Sequence, residues 1–161
     1  MALLHERHFR AIENLVFEWA RAIDENRAED ICNLLAPEGR YTVQSRFNAD
    51  RALPHALMDA HSPAQLRDRI RSMRLANIYE PQHYRHMVSG VQIVGGDADS
   101  GLQVRSSFVV VRTMDLDGDM KLFAAGQCED LVDVRGPEPL FARRHLKLDS
   151  RVVETLMVIP L

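Results

Sequence analysis

The sequence predicts an α+β fold in which helices come first and an antiparallel sheet follows. Apolar residues recur every three or four positions near the start of the chain, then alternate or run together in strand-length blocks over the second half. Those later blocks are separated by turns, of which Asp117-Gly118 is the strongest hairpin signal. Helices followed by a run of hairpin-connected strands are the pattern of an antiparallel sheet packed on helices. At 161 residues the chain is read as a single domain over 1-161, able to bury roughly 70% of its unfolded surface.

Phe9, Ile12, Val16, Trp19, Ala20 and Ile23 give one apolar stripe from Glu6 to about Glu25, hence a first amphipathic helix. Ile31, Leu34 and Leu35 mark a short second helix from Ala28, closed by Pro37-Glu38-Gly39. Arg40 to Phe47 alternates Tyr41, Val43, Ser45 and Phe47 with polar residues, which predicts a strand. Asn48 to His61 has no clean period and reads as a loop with at most a helical turn. Ser62-Pro63-Ala64-Gln65 then has the form of a capping box with Pro at the first helical position. It predicts a third helix from Pro63 to about Ile78, its apolar Leu66, Ile70, Met73 and Leu75 set against Arg67, Arg69, Arg71 and Arg74.

Strands are expected over His83–Val94, Leu102–Met114, Met120–Val134 and Leu140–Leu148, with an apolar stretch Leu156 to Leu161 closing the sequence. Phe108-Val109-Val110-Val111 and Leu122-Phe123-Ala124-Ala125 are apolar on both faces of their strands. A sheet covered on one side alone should alternate cleanly, so a second face must be covered, and another subunit is the expected cover.

Charge and motifs exclude several function classes. Lys plus Arg total 20 and Asp plus Glu 23, a net charge of -3, which gives no reason to expect nucleic acid as a partner. The opening Met1-Ala2-Leu3-Leu4 runs straight into His5, Glu6 and Arg7, and no apolar run approaches the roughly 18 residues of a membrane span, so neither a signal peptide nor a membrane partner is expected. Cys32 and Cys128 are far apart and in no metal-binding motif, which predicts a reduced, cytoplasmic chain without an iron–sulfur or zinc site. His5 and His8 share a helix face but read as a solvated first turn; His83 and His86, at odd spacing on a strand, point to opposite faces. Asp115, Asp117 and Asp119 around Gly118 lack the glycine register and closing Glu of a calcium loop. One acid–base arrangement remains: Tyr84, His86 and Gln92 on one strand face, with Asp30 as a carboxylate.

Phe17-Glu18-Trp19-Ala20, Tyr84-Arg85-His86 with Val91-Gln92-Ile93, Ser107 to Arg112, Leu122 to Gly126, Arg143 to Asp149 and the apolar closing stretch stand in this order along the chain. Together they resemble the β (small) subunit of Rieske-type aromatic-ring-hydroxylating dioxygenases. Arg67-Asp68-Arg69-Ile70, Ala76 to Glu80 and Glu154 to Leu161 look most like the small subunits of terephthalate dioxygenase and similar aromatic-carboxylate hydroxylases.

The resemblance implies a cone-like fold, a strongly curved mixed or antiparallel sheet wrapped over N-terminal helices, of the nuclear-transport-factor-2 and scytalone-dehydratase type. It implies a structural, non-catalytic chain that forms a homotrimer beneath three α subunits. The Rieske cluster and mononuclear iron would then lie on the α subunit, served by a reductase with or without a ferredoxin. No catalytic, cofactor or metal residue is expected on this chain. Arg67, Arg74, Tyr79, Tyr84, Arg85 and His86 are expected toward neighbouring subunits, and Phe108 and Val110 in cone or trimer packing. The alternative is a free-standing cone-fold isomerase or dehydratase using His86 and a carboxylate such as Asp30; a plain small-molecule binding module is a third reading.

Overall fold

Of the predicted stripe on α1 (Ala2–Asp24), Ile12, Val16, Trp19, Ala20 and Ile23 are buried and Leu15 and Ala22 join them, while Phe9 is 38% exposed. The structure, a computed structural model, describes residues 2–153 and 157–161, with side chains from Glu6 onward. The His5 side of the His5/His8 pair and the resemblance at Glu154 to Leu156 lie outside the described residues. Helix α1 stops at Asn26, whose φ of 59° is the left-handed cap. Arg27 N donates to Ala22 O and Asn26 N to Ile23 O, which satisfies the last carbonyls.

The second helix is a 3₁₀ turn, Ala28–Leu34. Strand β1 (Leu35–Ser45) begins at once, so Pro37-Glu38-Gly39 lies inside a strand instead of ending a helix. The register slips between Leu35 and Arg40, where a bulge absorbs the proline and glycine. A Cβ on Gly39 would stand 2.7 Å from Phe141 O, so this close approach requires glycine. Helix α2 (Arg46–Ala49) and the short strand β2 (Met58–Ala60) occupy the stretch expected to be a loop.

Helix α3 (Pro63–Leu75) starts where the capping box predicts: Ser62 Oγ accepts from Gln65 N at 3.3 Å. The Gln65 side chain reaches one residue further back, accepting from His61 N at 2.7 Å. Leu66, Ile70 and Met73 are buried, but Leu75 is exposed and the helix ends there, short of Ile78.

Strands β3 (Gln82–Asp97), β4 (Gly101–Met114), β5 (Met120–Asp133) and β6 (Leu140–Leu148) follow as expected. The sheet runs β2-β1-β6-β5-β4-β3. It is mixed, because β1 pairs with β6 in parallel; this corrects the antiparallel sheet read from the strand pattern and is within what the resemblance implies. Bulges in β3 around Gly90, at Phe123 in β5 and at Ala142 in β6 bend the strands, and the curled sheet closes over α1 and α3 as a cone. Gly126 permits a close approach within it: a Cβ there would stand 2.1 Å from Lys147 O.

The core lies inside the cone. Trp19, Tyr41 and Phe141 are fully buried, with Trp19 5.1 Å from the Tyr41 ring and 5.6 Å, edge-on, from Phe141. Met157, Val158 and Leu161 join this core although their segment belongs to no helix or strand.

Candidate functional site

Three polar or apolar constellations stand out, two inside the cone and one outside it. The first is where α1 lies along β3, the free edge of the sheet. Asp24, on the last turn of α1, has a 6% exposed side chain and holds both ends of one residue: Oδ2 accepts from His86 N at 2.9 Å, and Oδ1 lies 2.6 Å from His86 Nδ1. The first contact satisfies a strand-edge N–H; the second fixes the ring with Nε2 buried and unpartnered. Asp24 thus supplies the carboxylate that was expected from Asp30, which instead pairs with Arg27 at 2.6 Å in an exposed cluster. Gln92 does not join this face. The bulge at Gly90 turns it outward, where it accepts from Arg105. His83 and His86 do face opposite ways, His83 exposed and the His86 side chain buried.

The second constellation sits deeper. Arg144 Nη1 donates to Asp130 Oδ2 at 2.8 Å, with side chains 3% and 0% exposed. The Arg144 guanidinium also lies 4.9 Å from the Trp19 ring and 4.6 Å from Phe141. Burial pushes Asp130 up to about 6 against the pull of Arg144. It pushes the neighbouring Cys128 thiol up to about 12, which makes it an inert core thiol. Neither cysteine pairs with the other; both are free and buried. Among the described residues no three His, Cys, Asp or Glu side chains come together as a metal site.

The third is on the outer face. Met87, Val109 and Ala125 stand side by side across β3, β4 and β5, and Arg85, Val111 and Leu122 form the adjacent row. Met87 is 53% and Leu122 68% exposed, so the second face anticipated from the doubly apolar strands exists and is left open by the described residues.

The predicted interfacial residues divide. Arg67 and Arg85 are exposed, and Tyr79 is half-buried against the core. Arg74 is bound to its own chain, through Glu29 at 2.8 Å and Asn26. Tyr84 and His86 turn into the cone, Tyr84 stacked on Phe123 at 5.1 Å, and burial raises the Tyr84 hydroxyl. Phe108 and Val110 are buried in cone packing.

Sequence reading missed Asp24, Asp130 and Arg144. Parity held a signal for two of them: Asp130 is in phase with buried Cys128 and Val132, and Arg144 with buried Leu146 and Leu148, so each charge occupies a core position. Asp24 carried none, because only the crossing of α1 over β3 joins it to His86.

Comparison with known proteins follows this geometry. The family model described as "Ring hydroxylating beta subunit" matches residues 18–155. The chain is 34% identical over 140 residues to the anthranilate 1,2-dioxygenase small subunit of Burkholderia cepacia, covering 86% of this chain and 85% of that one. It is 32% identical over 143 residues to terephthalate 1,2-dioxygenase terminal oxygenase component subunit beta 2 of Comamonas sp, covering 89% and 92%. A solved Novosphingobium aromaticivorans structure, named as the beta subunit of an aromatic-ring-hydroxylating dioxygenase, superposes with a TM-score of 0.84 at 27% identity over 94% of this chain and 95% of that one. A scytalone-dehydratase-type structure from the same organism shares the fold at TM-score 0.71 and 17% identity, over 94% and 93%.

Proposed function

The chain belongs to the ring hydroxylating β-subunit family, and from that premise we propose that it is the structural, non-catalytic subunit of a multicomponent dioxygenase that places both atoms of O2 on an aromatic carboxylate. The observation that carries this reading is the uncovered apolar face of Met87, Val109, Val111 and Leu122, whose inward neighbours already fill the cone. The proposed cover is a neighbouring β subunit in a homotrimer and the α subunit stacked on it, with exposed Arg67 and Arg85 at the rim. The Rieske cluster and mononuclear iron belong, on this reading, to the α subunit, with electrons from a reductase, directly or through a ferredoxin. The anthranilate and terephthalate relatives support an aromatic carboxylate as substrate.

The test is co-expression with a candidate large subunit, followed by sedimentation and a panel of benzoate, anthranilate and terephthalate. Co-purification in equal amounts is expected, and dihydroxylation by the complex once a reductase and its reduced nicotinamide donor are supplied. Turnover by the isolated chain, lost on His86→Ala, would instead establish the acid–base reading that the Asp24–His86 pair favours, an isomerase or dehydratase acting at Nε2.

A further inference from the structure

The segment 157–161 is held the way a bound peptide is held. It forms no helix or strand, yet Met157 is 3%, Val158 6% and Leu161 0% exposed. Its main chain is gripped by side chains from three separate elements. Arg69 of α3 donates to Met157 O at 3.1 Å, Trp19 Nε1 of α1 donates to Leu161 O at 2.8 Å, and Tyr41 Oη of β1 donates to the same oxygen at 2.9 Å. Tyr41 Oη in turn accepts from Leu161 N at 2.9 Å. Trp19 and Tyr41 are themselves fully buried, and the Arg144 guanidinium lies 4.9 Å from the Trp19 ring. Two buried donors converge on one oxygen among buried apolar side chains. That is the composition of a small-ligand site.

We propose that the interior of the cone is a binding site whose resident ligand is the chain's own 157–161 segment, and that a short apolar carboxylate replaces it when the segment is removed. Without Leu161 O, the Trp19 N–H and Tyr41 O–H would be left in a desolvated chamber without an acceptor, the costly state for a buried donor. An occupant must therefore bring an oxygen for these donors and an apolar body for the space of Leu161. A branched aliphatic or aromatic carboxylate supplies both.

The sequence contains a single Trp, so intrinsic emission reports directly on this contact. In a chain lacking residues 157–161, the synthetic pentapeptide Met-Val-Ile-Pro-Leu, 4-methylpentanoate and benzoate should each change the emission saturably. The full chain should not respond at the same concentrations. Tyr41→Phe in the shortened chain should weaken carboxylate binding about tenfold, the loss of one hydrogen bond of about 1.4 kcal/mol. If the shortened chain is unfolded, the pentapeptide must restore its circular dichroism. As a second format, the full chain with Leu161→Gly keeps the main-chain contacts and loses only apolar volume, so benzene should raise its melting temperature and leave the parent chain unchanged. Failure of the pentapeptide to bind or to restore folding, no benzene effect on Leu161→Gly, or carboxylate binding unaffected by Tyr41→Phe would each overturn the proposal.

Discussion

Arg144→Met removes the cation that faces Asp130 inside the cone. The two groups meet at 2.8 Å with almost no solvent exposure, and the guanidinium also packs on Trp19 and Phe141. Removing one partner of such a buried pair costs about 3–5 kcal/mol, because the remaining charge has neither water nor a counter-ion. Asp130 already sits near 6 with Arg144 present, since burial outweighs the attraction. Without Arg144 it moves further up and takes a proton at neutral pH, which keeps the loss within that range. For a chain of this size a loss of about 3–5 kcal/mol lowers the melting temperature by roughly 6–20 °C. The double variant Arg144→Met with Asp130→Val removes both charges and fills the space with apolar atoms. It should regain most of the loss, because exchanging a whole buried pair for apolar packing is close to neutral. Urea unfolding followed by Trp19 emission measures all of the variants needed for the cycle. A single variant within about 1 kcal/mol of the parent, or a double variant no better than the single, would refute the reasoning.

Asp130 also predicts a pH dependence. Its folded value, about 6, lies above its ordinary 3.8, so its contribution is complete below about pH 4 and is lost as pH rises through 6, about 3 kcal/mol in all. His145, lowered by burial, acts in the opposite sense as pH falls below its ordinary 6.5; comparison with Asp130→Asn offsets it, and the difference in unfolding free energy should fall between pH 4 and 6. Asp24→Ala should cost about 1–3 kcal/mol by orphaning the His86 amide and ring, and amide exchange at His86 should quicken selectively. Gly126→Ala should destabilise by about 1–3 kcal/mol in chemical denaturation, since its Cβ would meet Lys147 O at 2.1 Å. Leu122→Glu, exposed on the outer face, should leave the isolated chain's stability within about 0.5 kcal/mol of the parent yet abolish assembly on a sizing column.

The sequence by itself determined the types of the long elements, but not the short helix α2, the strand β2 or the start of β1 at Leu35. The stripe on α1, the Ser62 cap, the Asp117-Gly118 turn and the period-two strands are local patterns, and local hydrogen bonding enforces them wherever the chain goes. It also determined that a strand face was left over, because an apolar residue at every position of Phe108 to Val111 cannot all point inward. The tertiary structure decided what depends on which distant segments meet. Strand β1 runs parallel to β6, a pairing between segments far apart in the chain that no adjacent turn could signal. Asp24 instead of Asp30 reaches His86 because α1 ends against the free edge of β3, and Leu161 meets Trp19 and Tyr41 across more than a hundred residues. Burial then set the chemistry. Asp130 and Arg144 are ordinary charged residues in the sequence, and only their common removal from water makes one an elevated acid and the other its required partner.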